Sequence, residues 1–402
     1  MTRYRLLQVK RQLEEWLMAP FIWYGRWQAA RSRFDTGGYD LVCFFPDASL
    51  GGAQKVNASV LAACTGKRVC IFFTKKGTNQ LLLHLFALPN CTVYDIAAAA
   101  DNKVRYWNNF IWRGRCSWLI NRQRHPVTVL NCQCNFAYKL LPHLKQGVRV
   151  VELIHVAEPR FSAITFPYIP FLPVRVTVGP TLIQQHLRYY RQLGVPPQYN
   201  NAWQHRLFGV AKVVPPLRNY HLPLRVGYLG RDSREKRLGL LYAAASACGE
   251  KALPLQWHFI GVSAPGQDPV RQVPNATWHG VVENDAERQD LLQQMDLLVL
   301  TSSFEGRPLA LMESMMLGVV PVATAVGCIP ECIEHATTGY LLQHPDNEAA
   351  VKDQLIAVLE QLTQHPETLA SLSRQAHAFA CRNFTNLHEA EQWRALLFGP
   401  EE

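Results

Sequence analysis

Residues 301–313 read Thr-Ser-Ser-Phe-Glu-Gly-Arg-Pro-Leu-Ala-Leu-Met-Glu. An apolar run, Leu297–Leu300, empties into this polar loop, and Gly306 with Pro308 opens a helix, proline standing where a missing N–H costs least. The backbone around Arg307, Pro308, Leu309 and Ala310 then offers an anion the N–H groups that a helix start leaves unbonded, a setting suited to a diphosphate. Glu313 follows on the helix. A carboxylate beyond an anion site can accept both hydroxyls of a ribose, as the acidic residue of dinucleotide folds does. Glu305 lies in the loop, nearer to whatever the diphosphate carries. Two solvated surface carboxylates would leave the same letters, but not the same succession of strand, loop and helix.

Three further segments have the right chemistry. Val226-Gly227-Tyr228-Leu229-Gly230-Arg231 ends a strand at a glycine, and Lys236 follows five positions after Arg231. The guanidinium can grip phosphate with two parallel N–H groups, while the ammonium acts as a point charge. Two solvated cations beside a turn are the plainer alternative. Phe44 to Ala53 carries Gly51 and Gly52 between a strand and a helix, where backbone can approach a ligand closely. A plain strand-to-helix turn would look the same. His155 stands at the end of another apolar run; a lone histidine there is usually structural. No H-E-x-x-H or comparable histidine spacing occurs, so no zinc is expected; there is no D-x-D run for a metal-bound diphosphate, and neither G-x-S-x-G nor a P-loop pattern is present.

Short apolar runs alternating with helical stretches position these residues. The runs 39–45, 68–73, 92–96, 127–130, 148–154 and 174–178 read as buried parallel strands, and 225–229, 256–260, 277–278, 297–300 and 320–323 repeat the pattern. Between them the chain becomes proline-rich around Val213-Val214-Pro215-Pro216-Leu217, which is read as the linker. The expected organisation is a basic amphipathic extension over 1–34, an α/β domain over 35–215, a second over 216–382, and a C-terminal helix over 383–402 packing back toward the first. In the extension, Leu6, Val9, Leu13, Trp16 and Leu17 follow a helical period that Pro20 is expected to end. An aromatic and basic cluster, Phe21 to Trp27, comes next. Either the segment lies on a membrane, or it packs on the first domain or a partner subunit.

Together these segments resemble the retaining glycosyltransferases of family 4, whose GT-B fold consists of two Rossmann-like parallel-sheet α/β domains facing across a cleft. Glu305-x7-Glu313 with Gly306, Pro308 and Gly318 is similar to the family's signature, and Gly230-Arg231-x4-Lys236 to its diphosphate-binding pair. Gly51-Gly52-Ala53 resembles its first glycine loop, Ile154-His155 its donor-sugar histidine, and Gly327 with Pro330-Glu331 the segment after the next strand. The resemblance spans residues 40 to 345 and is most specific in the second half. It implies metal-independent transfer from a nucleoside diphosphate sugar, with His155 and Glu305 at the sugar. Gly51, Gly52, Arg231, Lys236, Arg307, Pro308, Leu309, Ala310 and Glu313 would hold the donor. Three positions depart from the pattern: Arg307, where an aromatic or aliphatic residue is commoner; Arg237, where glycine follows the lysine; and Cys328, where a second glycine is usual. Arg307 would add a cation near the sugar or phosphate.

Composition narrows the partners. The 402 residues exceed one core and suit two domains. The eleven cysteines show no zinc spacing and are expected to be free thiols. Residues 1–215 carry a net charge of +18 and the remainder −8. A basic half without a zinc finger, helix-turn-helix or RNP motif points away from nucleic acid and toward an anionic membrane or phosphorylated substrates. The expected acceptor is therefore a lipid-linked or membrane-bound glycan of bacterial lipopolysaccharide, capsule or exopolysaccharide. The chain would be cytoplasmic and peripheral on the membrane's inner face. A non-catalytic sugar-nucleotide or glycan-binding module of the same fold is the alternative.

Overall fold

The computed structural model describes residues 2–32, 34, 38–157, 164–215, 218–264, 273–385 and 388–399. The chain divides into two compact units, Met1–Arg206 with His388–Glu402, and Leu207–Leu387. Pro216 and Leu217 of the expected linker lie outside the described residues.

The first unit begins with α1 (Arg3–Arg31) and continues through β1 (Leu41–Phe45), α2 (Gly52–Ala62), β2 (Val69–Phe73), β3 (Cys91–Asp95), α3 (Ala97–Ala100), α4 (Trp107–Asn121), β4 (Thr128–Cys132), α5 (Asn135–Leu140), β5 (Arg149–Ile154), β6 (Val174–Thr177), α6 (Pro180–Leu193) and β7 (Trp203–His205). Its strands form one parallel sheet in the order β3-β2-β1-β4-β5-β6-β7. Strands β1, β2 and β4 are buried along their whole length, as parallel strands covered on both faces must be. Phe44 stacks on Phe72 across the β1–β2 register, inside a core that includes Val42, Leu119 and Tyr138.

Pro20 does not end the first helix. α1 runs through it, because Ile22, Gly25 and Ala29 lie on the face that packs against α4, and that burial outweighs a cost of about 3 kcal/mol for an interior proline. The crossing is close: a Cβ on Gly25 would sit 2.0 Å from the carbonyl oxygen of Ile111, and one on Gly114 would sit 2.2 Å from that of Ile22.

The second unit contains β8 (Leu224–Leu229), α7 (Leu238–Glu250), β9 (Leu255–Ile260), β10 (Ala276–Gly280), α8 (Asp285–Gln293), β11 (Leu297–Leu300), α9 (Leu309–Met316), β12 (Val320–Thr324), β13 (Tyr340–Leu342), α10 (Glu348–Gln364) and α11 (Thr368–Asn383). Its parallel sheet has the order β10-β9-β8-β11-β12-β13. Residues just before and just after these elements belong with them. Val210 and Val213 pack against the core that holds Phe384, and the Val210 N–H donates to the Phe384 carbonyl at 2.9 Å. Beyond that, α12 (Glu389–Phe398) returns to the first unit, burying Trp393 and Leu397. There the Thr128 hydroxyl donates to the Leu397 carbonyl at 2.7 Å and the Arg149 guanidinium to that of Leu396 at 2.6 Å.

Candidate functional site

In each sheet the strand order reverses beside its first strand, between β1 and β4 and between β8 and β11. Ligands in open α/β sheets bind outside the carboxyl ends of strands at such a switch point. Gly51 and Gly52 follow β1, Arg231 and Lys236 follow β8, and Glu305 to Glu313 follow β11.

In the second unit the two loops at the switch point are tied together. The Lys236 ammonium lies 2.5 Å from Oε1 of Glu305, and the Ser302 hydroxyl donates to the same oxygen at 2.6 Å. The Ser303 N–H donates to the Glu235 carbonyl at 2.8 Å. Arg237 completes the join. Its guanidinium donates to the carbonyls of Thr301 at 2.6 Å, Ser302 at 3.0 Å and Pro345 at 2.7 Å. Its φ of +50° is a left-handed conformation that favours glycine, which accounts for glycine being usual after the lysine. Arg231 is exposed, and its carbonyl accepts from the Tyr228 hydroxyl at 2.9 Å.

Pro308 precedes α9 with an extended ψ of 117°. The N–H groups of Leu311 and Met312 already reach the Pro308 carbonyl, so those of Leu309 and Ala310 are the ones the helix start leaves over. Glu313, one turn on, accepts from Arg288 of α8 at 3.1 Å. Arg307 turns toward Phe384, its guanidinium 5.3 Å from the ring centroid. Gly327 allows the Glu305 loop its course: it has a φ of +54°, and a Cβ there would meet the Glu305 carbonyl oxygen at 1.8 Å.

In the first unit, Gly51 precedes α2 and the loop before it is held by Asn79, whose Oδ1 accepts from the Leu50 N–H at 3.0 Å. His155 follows β5. Its N–H donates to Oε1 of Gln133 at 2.8 Å, and its Nε2 lies 2.9 Å from Oδ1 of the buried Asn57 on α2. An amide oxygen only accepts, so Nε2 carries the ring proton and Nδ1 is left as an acceptor. Burial pushes the imidazole down to about 4, so the ring is neutral at physiological pH.

Ser302, Arg288, Asn57, Gln133 and Asn79 were not singled out from sequence. Ser302 was legible in principle, three residues before Glu305. The others arrive from distant segments, with no local signal. Among the described residues no group of three or more His, Cys, Asp or Glu gathers as metal ligands would, and no helix is long and apolar enough to cross a membrane. None of the eleven cysteines, all of them among the described residues, forms a disulfide.

The family match falls within the second unit. Residues 223–361 match the family model described as Glycosyl transferases group 1. Over 86 residues the chain is 42% identical to N-acetyl-alpha-D-glucosaminyl L-malate synthase of Bacillus anthracis, covering 21% of this chain and 22% of that one. Over 159 residues it is 29% identical to the amylovoran biosynthesis glycosyltransferase AmsK of Erwinia amylovora, covering 36% and 37%. The chain thus matches well under half the length of these relatives. Among solved structures, the Anabaena protein HepE in complex with UDP and glucose superposes with a TM-score of 0.67 at 14% identity, over 89% of this chain and 99% of that one. A likeness at that identity is one of fold, and the fold is that of the GT-B glycosyltransferases.

Proposed function

We propose that the protein is a retaining, metal-independent glycosyltransferase. It would move a sugar from a nucleoside diphosphate sugar to a hydroxyl of a glycan or glycolipid acceptor in bacterial surface polysaccharide assembly. The observation that carries this reading is the joined pair Lys236 and Glu305 beside the start of α9, with Glu313 one turn on.

The demanding step is departure of the diphosphate. Arg231, Lys236 and the N–H groups of Leu309 and Ala310 would receive its growing charge, a contribution that is usually large in such catalysis. Lys236 and Glu305 neutralise each other without donor; with donor, phosphate would take the ammonium and a sugar hydroxyl the carboxylate. Glu305 then orients the sugar and is not a covalent nucleophile. Neutral His155 would accept a hydrogen bond from a sugar hydroxyl through Nδ1. The acceptor oxygen bonds to the anomeric carbon on the face the diphosphate leaves, the carbon–oxygen bond to the diphosphate breaks, and the hydroxyl proton departs with it. The net charge of +18 over residues 1–215 supports an acceptor presented at an anionic membrane.

Thermal stability against UDP, GDP, CDP, ADP and phosphate tests the donor site. A ligand at a hundred times its Kd stabilises by about 2.7 kcal/mol. A shift with one nucleotide that Glu313→Ala abolishes is the expected result. No shift with any of them rules out the donor site described here and favours a glycan-binding module.

A further inference from the structure

The N-terminal helix has two apolar faces, of which its own unit uses one. Tyr4, Ile22, Gly25 and Ala29 are buried on the side toward α4 and the segment before β6. Leu13 lies nine residues from both Tyr4 and Ile22, about two and a half turns at 3.6 residues per turn, and so points the opposite way. That opposite side carries Leu6, Leu13, Trp16, Leu17, Trp23 and Trp27. Trp16 is 75% exposed and Trp23 68%. From Leu6 to Trp27 the stripe runs about 30 Å at a rise of 1.5 Å per residue. Soluble proteins rarely leave a contiguous apolar surface of this kind without a partner.

Charge identifies that partner. The helix holds six Arg or Lys and only two carboxylates, and both of these, Glu14 and Glu15, are half-buried and paired to Lys10 and Arg11. Arg3, Arg5 and Lys10 are exposed at the edges of the stripe, and Arg31 stacks 3.9 Å over Trp27 at its end. A second copy of this helix would bring like charges together. The rim of an anionic bilayer suits it: tryptophan and tyrosine favour the headgroup level, leucine the acyl boundary, and arginine and lysine the lipid phosphates. A second element extends the surface. Phe21 contacts Phe110 of α4, and Phe110 contacts Tyr106. Beside them α4 begins at the exposed Trp107, and just before it the exposed Val104 stands between Lys103 and Arg105.

We infer that the outward face of α1, with the tip of α4, docks the protein onto an anionic lipid bilayer, the helix lying in the plane of the interface. The inference rests on the membrane reading of the acceptor and names the surface that would meet the membrane.

Flotation of the full-length chain with vesicles of equal phosphatidylglycerol and phosphatidylcholine, and with phosphatidylcholine alone, is the test. The wild-type chain should float with the anionic vesicles, with a blue shift of tryptophan emission. Leu13→Gln/Trp16→Gln/Trp23→Gln, altered only at exposed positions, should weaken partition by about tenfold or more, as expected when three interfacial anchors are lost. Arg3→Glu/Arg5→Glu/Lys10→Glu should abolish the preference for anionic lipid. A wild-type chain that stays unbound at low salt, or an apolar variant that floats as well as wild type, overturns the inference. So does a dimer in lipid-free solution that the apolar variant dissolves, because the stripe then belongs to a second copy. Nucleotide-induced thermal shifts on the same samples report the donor site separately, so either reading can fail without the other.

Discussion

Lys236 and Glu305 are 2.5 Å apart, and the Ser302 hydroxyl binds the same carboxylate oxygen. Two groups assigned to different parts of one ligand thus hold each other in place, so neither needs to reorganise far when the ligand arrives. Glu305→Gln keeps the shape but loses the charge that fixes Lys236. It should leave nucleotide-induced stabilisation largely intact while lowering kcat by about 10²–10³, the range for loss of one preorganised polar group. Equal loss of nucleotide binding and turnover would place Glu305 at the nucleotide instead.

Arg237 combines an unfavourable backbone angle with three carbonyl contacts. Arg237→Gly relieves the angle and loses the contacts; Arg237→Ala loses the contacts and keeps the angle. Denaturant midpoints should therefore order wild type above Gly above Ala, with the two variants separated by about 1 kcal/mol, the usual cost of a left-handed non-glycine residue.

The His155–Asn57 contact sets a protonation state. Asn57→Asp places a carboxylate where the amide stood, which favours the imidazolium and raises the imidazole above its value of about 4. Below its new value the ring loses Nδ1 as an acceptor. The acid limb of the kcat/KM profile should move up by at least about one pH unit, the size expected from one close opposite charge. A profile identical to wild type would show that His155 does not contact the sugar.

A buried ion pair braces the sheet under His155. Arg175 on β6 and Glu152 on β5 are both fully buried; the guanidinium bonds both carboxylate oxygens, and the Tyr138 hydroxyl donates to Glu152. Removing one partner strands the other charge. Arg175→Met should cost about 3–5 kcal/mol in chemical denaturation, and Arg175→Met/Glu152→Met should recover part of that.

Acid should loosen the first unit before carboxylates titrate. Burial pushes His186 down to about 3, with help from Arg175, while an unfolded histidine titrates near 6.5. Between those values the unfolded chain binds the proton and the folded chain does not, so stability is fully present above pH 6.5 and falls as pH drops toward 3. The melting temperature of His186→Gln should fall less steeply than that of wild type from pH 7 to pH 4.5.

Much of the fold was legible because strands buried on both faces must be apolar along their whole length. Leu41–Phe45, Val69–Phe73 and Leu297–Leu300 are continuous apolar runs. Two strands escaped notice, Trp203–His205 and Tyr340–Leu342: each has three residues, too few for any period, and Gln204 interrupts the first. Pro20 misled because a local rule met a helix held by tertiary packing. The motif residues stood out because strand, loop and helix follow one another in the chain. Their supports did not, since Asn57 meets His155 across 98 positions and Arg288 meets Glu313 across 25.

The return of α12 to the first unit has a consequence for biosynthesis. Residues 207–387, the whole second unit, form one uninterrupted stretch of chain. The first unit's leading segment, 1–206, cannot finish before the second unit has been made, because Trp393 and Leu397 belong to its interior and follow residue 387. At 5–20 residues per second the nascent first unit waits roughly 10–35 s with that apolar seat uncovered. It is therefore the part of the chain most exposed to chaperones during synthesis, although it begins to emerge first.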